Sequence, residues 1–265
     1  MLPLATWPLA ARRGIAGLFT DIDDTLTTEG AITADALQAL ARLRAAGLHV
    51  VPVTGRPVGW SAPFALAWPV DAIVAENGAV ALVPDGRGGL RKLYQQDGPT
   101  RAANQARLQA VLARIEREVP GARRATDSAG RETDIAIDHS EFTTLPPAAI
   151  DAVVAQMRAA GMTATVSSIH VNGWYGAHDK LSGARWMARE LFATDLDAQL
   201  ERWAYVGDST NDVRMFQHFG HAIGVANIRR FAGQLAHEPH YVTEGERGAG
   251  FTQVADAILA ARARP

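Results

Sequence analysis

The segment Leu18-Phe19-Thr20-Asp21-Ile22-Asp23-Asp24-Thr25-Leu26 constrains this chain more than any other stretch. An apolar, strand-like lead runs without a break into three acidic residues and a threonine. Side chains two apart on a strand share a face, so Asp21 and Asp23 come together where the strand ends. Two carboxylates that close repel, and one is driven toward protonation unless a cation or a catalytic task holds the pair. An acidic turn would ask for one Asp or Asn; three acids directly after a buried strand are more than a turn needs.

Strand and helix alternate from this point on. Residues 17–20 read as a strand. Thr33 suits an N-cap and Asp35 the first helical turn; Leu37, Leu40, Ala41 and Leu43 then fall close to one helical face, and Gly47 suits the position just past the helix end. Residues 48–53 form a continuous apolar run of strand length, as in a strand covered on both sides, and Thr54-Gly55-Arg56-Pro57 ends it. A further helix and a strand over 72–75 lead to Glu76-Asn77-Gly78-Ala79. This β-α-β-α-β order predicts a doubly wound parallel sheet of Rossmann-like type, in which ligands bind beyond the carboxyl ends of the strands. The pattern then changes: short strands around 80–83, 90–94, 133–138, 162–167 and 170–175 accompany two amphipathic helices. We expect an inserted α+β domain at 84–176 and a catalytic core made of 1–83 and 177–265. The first pattern then resumes, with a strand over 203–206 entering Gly207-Asp208-Ser209-Thr210-Asn211-Asp212.

Bulk properties narrow the function classes. A chain of 265 residues that is 48% hydrophobic and 20% charged is globular rather than disordered. A formal net charge of −2 and the lack of a long basic run argue against nucleic acid or an anionic membrane as general partners. There are no cysteines, which excludes disulfides, thiolate zinc sites and a cysteine nucleophile. The apolar stretch 1–11 lacks a positive leader, carries Pro3 and Pro8, and precedes Arg12 and Arg13. It reads as a lead-in segment or a misassigned start rather than a signal peptide, and with the missing cysteines it implies a cytoplasmic location. No stretch reaches the roughly 18 apolar residues of a membrane span.

Three further elements stand at places where chemistry could occur. Thr54-Gly55 offers a hydroxyl and a backbone N–H at a strand end, suited to a phosphate oxygen, though a plain strand-to-helix turn looks the same. Lys180 opens a predicted helix; without context it is a solvated surface charge. Asp208 directly follows a buried strand, with Asp212 four residues on near a helix start. One of these acids could simply cap a helix, but two acids flanking Asn211 exceed that need and point to metal binding.

In their order, these elements resemble the motifs of the haloacid dehalogenase-like phosphohydrolase superfamily. Asp21-Ile22-Asp23-Asp24-Thr25 looks like its first motif, Val53-Thr54-Gly55-Arg56 its second, Lys180 its third and Gly207-Asp208-Ser209-Thr210-Asn211-Asp212 its fourth. Glu76-Asn77-Gly78-Ala79 and the position of the insert resemble the branch with a large α/β cap, called type IIB or Cof-like. The resemblance implies that Asp21 attacks phosphorus to form an aspartyl-phosphate. It implies that Asp23 protonates the leaving alkoxide and then deprotonates water. Thr54, Gly55, Lys180 and Asn211 would hold phosphoryl oxygens. Mg²⁺ would be bound by the Asp21 carboxylate, the Asp23 backbone carbonyl and Asp208, with Asp212 orienting water or Lys180 from behind. The Asn77-Gly78 turn would shape the floor of the site. Asp24 is an acid where many relatives carry glycine.

The implied activity is a Mg²⁺-dependent phosphatase acting on a small phosphorylated metabolite, a sugar or polyol phosphate, with specificity in the cap. His170 and Asn172 share a strand face and, with Arg131, are the cap residues expected to meet substrate. A sugar phosphomutase would share this core and nucleophile, and a catalytically idle phospho-ligand-binding protein would share the fold. Neither the substrate nor the oligomeric state is written in the sequence.

Overall fold

The computed structural model describes residues 1–263. Along the core, strand β1 (Gly17–Thr20) leads to helix α1 (Ala34–Ala45), β2 (His49–Pro52), α2 (Val58–Ala67) and β3 (Ile73–Ala75), followed by a hairpin of β4 (Val80–Pro84) and β5 (Leu90–Tyr94). The insert contributes α3 (Gly98–Glu118), β6 (Asp134–Asp138), α4 (Pro147–Ala159), β7 (Thr163–Val166) and β8 (His170–Trp174). The core returns with α5 (Lys180–Phe192), β9 (Trp203–Gly207), α6 (Val213–His218), β10 (His221–Gly224), β11 (Tyr241–Val242) and α7 (Arg247–Ala263).

The central sheet has six strands, and its order from the edge is Leu2–Pro3, β11, β10, β9, β1, β2. All of these pairings are parallel, and a parallel bridge from Val53 to Val74 carries the sheet on to β3. From β1 the chain winds outward one way through β2 and β3; from β9 it winds the other way through β10 and β11. The gap between β1 and β9 is therefore a topological switch point, where doubly wound sheets hold their ligands. Alternation along β1 sends Leu18 into one apolar layer, with Val50, Val206 and Phe251, and Phe19 into the other, with Val51, Tyr205, Met187 and Phe216. Being covered on both sides is what the unbroken apolar runs of these strands require.

Three expectations need correction. The face of α1 that packs inward is Ala36, Ala39, Leu40 and Leu43; Leu37 is 36% exposed, because the i, i+3, i+4, i+7 stripe starts one residue earlier. Gly47 does sit at φ +78° beyond the helix. The hairpin of β4 and β5 pairs with β3 rather than with the insert's sheet, so the boundary expected at 84 falls inside a core hairpin. Residues 1–11, expected as a lead-in segment or a misassigned start, are part of the core: Leu2–Pro3 adds a strand to the sheet edge, and Trp7 is buried and stacked on Tyr241.

The insert folds around its own antiparallel sheet, ordered β7, β8, β6 and the short strand Arg123–Arg124. One face, with Ile135, Ile137 and Val171, packs on α3 and α4 through Leu108, Ile115, Val153 and Met157. Strand alternation then turns Asp134, Asp138, His170 and Asn172 toward the core. No helix among the described residues is long and apolar enough to cross a membrane.

Candidate active site

Four segments far apart in sequence meet at the carboxyl ends of β1, β2 and β9 and the first residue of α5. The Asp21 N–H still belongs to the sheet, donating to Val206 O at 2.8 Å, so the carboxylate is held at the strand end by backbone. Lys180 Nζ donates to Asp21 Oδ1 at 2.7 Å and to Asp212 Oδ1 at 2.8 Å. Its position is fixed by a capping box, in which Asp179 Oδ1 accepts from Ser182 N and Ser182 Oγ accepts from Asp179 N. Beneath it lies the Glu76-Asn77-Gly78 turn. Gly78 adopts φ +105°, and a Cβ there would stand 2.1 Å from Asp179 O, so only glycine lets this turn support the start of α5.

The carboxylates of Asp21, Asp208 and Asp212 lie within 4.8 Å of one another, all buried. Their hydrogen bonding differs. Both Asp212 oxygens are occupied: Oδ1 by Lys180 and by Tyr205 OH at 2.5 Å, Oδ2 by the N–H groups of Asp208 and Ser209. Asp208 Oδ2 accepts from Asn227 Nδ2 and Arg230 Nη2 at 3.1 and 2.9 Å, while its Oδ1 is buried with no hydrogen-bond partner. Burial pushes the Asp21 carboxyl up to about 7 although Lys180 pulls against it. Burial, reinforced by Asp21 and Asp212, pushes Asp208 well above the usual carboxylate range. Burial would lower the Lys180 ammonium, but the two carboxylates beside it hold it raised. Lys180 and Arg230 set two positive charges against three buried acids, which leaves excess negative charge, and an orphaned carboxylate oxygen costs about 1–3 kcal/mol. An oxygen-coordinated divalent cation relieves both, so the residues present fit one.

Thr54 is fully buried at the end of β2, and its Oγ1 accepts from Arg56 N at 3.0 Å, leaving the hydroxyl proton to donate. Gly55, Asn211, His170 and Asn172 line the same narrow cleft as Asp21 and Asp23. Asn211 Oδ1 accepts from Ser209 Oγ. Of the cap residues expected to meet substrate, His170 and Asn172 therefore do face the site. His170 Nε2 is engaged with Glu141 Oε2 at 2.8 Å, and Asn172 Nδ2 with Gly55 O and Asp134 Oδ2. Arg131 is buried: its Nη1 donates to both Asp134 oxygens and to Gly55 O, and its Nε and Nη2 to Asp127 Oδ1, so its guanidinium joins cap to core. Trp174 is buried and donates to His178 O.

The sequence named Asp24 and Arg56 but not their partners, and it missed Asn227 and Arg230. Asp24 takes φ +55°, the conformation glycine would adopt freely. Its carboxylate pairs with Arg230 at 2.8 Å and Arg247 at 3.1 Å, and Arg230 bridges on to Asp208. Asn227 follows the end of β10, so the rule that ligands gather past strand ends was the available signal. Arg56 Nε reaches both oxygens of Asp23 at 3.0 and 3.1 Å. A cavity of about 890 Å³ opens beside Asp23, lined by Asp24, Arg56, Trp60, Glu141, Phe142 and Arg230 among others.

A parallel core with a buried strand-end carboxylate, a lysine paired to it and an inserted α/β cap is the capped haloacid dehalogenase-like architecture. Residues 18–95 match the family model of haloacid dehalogenase-like hydrolases. Solved structures agree over nearly the whole chain. A Thermoplasma acidophilum protein superposes with TM-score 0.70 at 18% identity, over 92% of this chain and 98% of that one. The sucrose-phosphatase of Synechocystis, solved with sucrose and phosphate, gives 0.66 at 16% identity, over 93% and 98%. A haloacid dehalogenase-like hydrolase from B. subtilis gives 0.64 at 16%, over 91% and 99%. No curated protein sequence matches significantly. Residues 18–95 are thus similar in sequence to haloacid dehalogenase-like hydrolases, and nearly the whole chain shares the capped fold of these solved structures.

Proposed function

We propose that this protein is a Mg²⁺-dependent phosphatase that hydrolyses a small phosphomonoester, a sugar or polyol phosphate, through an aspartyl-phosphate on Asp21. The observation that carries this reading is the buried Asp208 Oδ1, unpartnered and beside an Asp21 carboxylate that is itself held by Lys180. Asp21 and Asp208, with the backbone carbonyl of Asp23, would hold the ion, which when bound neutralises phosphoryl charge.

Asp21 attacks phosphorus, and the bond to the alkoxide leaving group breaks as Asp23 supplies its proton. Asp23 then takes a proton from water as that water displaces Asp21. Lys180, Thr54, Gly55 and Asn211 bind the equatorial oxygens and stabilise their charge as the bond to the leaving group lengthens. Asp212, saturated by four donors, keeps Lys180 in place. The cap seam keeps bulk water from the aspartyl-phosphate, and the cavity beside Asp23 receives the leaving group. The sucrose-phosphatase neighbour supports a sugar leaving group for this fold.

The test is phosphate release from a panel of sugar, polyol and acyl phosphates, with Mg²⁺ and with EDTA, by wild type and Asp21→Asn. Release by wild type alone, lost in EDTA, is the expected result. Silence across the panel, or equal rates in Asp21→Asn, would remove the reading.

A further inference from the structure

Arg56 is more than the last residue of a turn. Its side chain is only 5% exposed, and its guanidinium meets three carboxylates, one from the core and two from the cap. The Nε edge meets Asp23, with Nη2 also 2.9 Å from Asp23 Oδ1. The other edge meets the cap: Nη2 donates to Glu141 Oε1 at 2.6 Å, and Nη1 reaches Glu141 Oε2 and Asp127 Oδ2 at 3.3 Å each. The Trp60 ring lies 4.9 Å from the guanidinium carbon.

Glu141 is held in its turn. His170 Nε2 donates to its Oε2. Its loop is tied down by Asp138, whose carboxylate accepts from the N–H groups of Ser140, Glu141, Phe142 and Thr143. A planar fork with both edges occupied and an aromatic ring beside it has little freedom to rotate. The direction of the Asp23 carboxylate is thereby set from the cap, through residues 33 and 85 positions away from Arg56.

We propose that Glu141, braced by His170, is a positioning residue that acts through Arg56 to orient Asp23 toward the leaving-group oxygen once the cap is seated. It rests on the phosphatase reading above and adds that proton delivery to the leaving group depends on a cap residue. With Glu141 neutralised, Arg56 keeps Asp23 and the longer contact to Asp127 but loses the 2.6 Å charged anchor on its other edge, and Asp23 turns with it. Substrates whose leaving group needs a proton suffer; those whose leaving group departs as a stable anion do not.

The experiment compares kcat/KM, which reports only steps up to departure of the leaving group, for the best alkyl phosphate and for p-nitrophenyl phosphate. In Glu141→Gln the ratio of alkyl to nitrophenyl kcat/KM falls about tenfold or more, within the range attributed to general acid catalysis. Arg56→Lys, which replaces the fork by a point donor, moves the ratio the same way and decides the matter should Glu141→Gln not fold. A ratio within about twofold of wild type, whether both rates fall together or neither changes, would overturn the positioning role while leaving the phosphatase standing. Wild type that releases phosphate from neither compound would overturn both.

Discussion

Two buried acidic clusters lie within this molecule, and they are built on opposite principles. At the cap seam, Glu76 accepts from Val58 N, Glu132 N, Thr133 N and Thr133 Oγ1, and Asp134 accepts on both oxygens from Arg131, with Asn172 added. Each carboxylate oxygen there has a donor. At the strand ends, Asp21, Asp208 and Asp212 share Lys180 and the outlying Arg230, and Asp208 Oδ1 has none. A satisfied buried acid is architecture; an unsatisfied one beside surplus negative charge is a place kept for something else. The same burial raises Asp134 to about 7, against the pull of Arg131. Perturbed acidity alone does not separate the two clusters, and the hydrogen-bond inventory does.

The largest expected effect lies at the strand ends. Asp21→Asn should lower kcat by at least about a thousandfold, as loss of a nucleophile does elsewhere, with no comparable loss of stability, since the backbone bond of Asp21 to Val206 survives. Steady-state phosphate release and thermal unfolding measured on one preparation check this. A variant that loses both would return Asp21 to the architectural class.

Stability should part the clusters next. Arg131→Met leaves the buried Asp134 without its cation and Asp127 with Arg56 alone, and should cost about 3 kcal/mol or more, read from urea midpoints. It should keep the rise in Tm expected on adding Mg²⁺. Asp208→Asn should do the reverse, losing the Mg²⁺-induced rise while the EDTA-treated protein melts no lower than wild type. Glu76→Gln follows, at about 2 kcal/mol, because the amide nitrogen would have to face N–H donors. If Arg131→Met abolished the Mg²⁺ effect, the clusters would not be independent.

How much of this could be read before the structure depended on whether chemistry was local in the chain. Asp21, Asp23, Thr54, Lys180 and Asp208 were legible because each follows a strand end or opens a helix, and the β-α-β order says those ends converge. His170 and Asn172 were legible as a shared face, since strand alternation is fixed. What they touch was not: a period of two gives a side and no partner. Arg56 and Glu141 are 85 residues apart, and Arg230 and Asp24 are 206 apart, so no local pattern joins them. Arg131 shows the cost of that gap. An arginine beside a cap strand looks like a substrate ligand until Asp134 and Asp127 are seen to take its donors.

The smallest effect is one of pH, and it probes the bridge between the two regions. Burial would raise the Glu141 carboxyl, but His170 and Arg56 hold it down to about 2. A carboxylate whose folded pKa lies below its unfolded value stabilises the fold where it is ionised in both states. That contribution is complete above the ordinary glutamate range, near 4.3, and is lost as pH falls from there through about 2. Glu141→Gln removes it at every pH. The Tm difference between wild type and Glu141→Gln should therefore be widest above about pH 5 and close toward pH 2. Glu141 is half-buried, so solvent screens the pair and the gap should be small beside that of Arg131→Met. A gap that stays constant over this range would mean that Glu141 holds Arg56 by shape alone. The cap would then be joined to the core by its satisfied seam at Glu76 and Arg131, with no charge reaching across to Asp23.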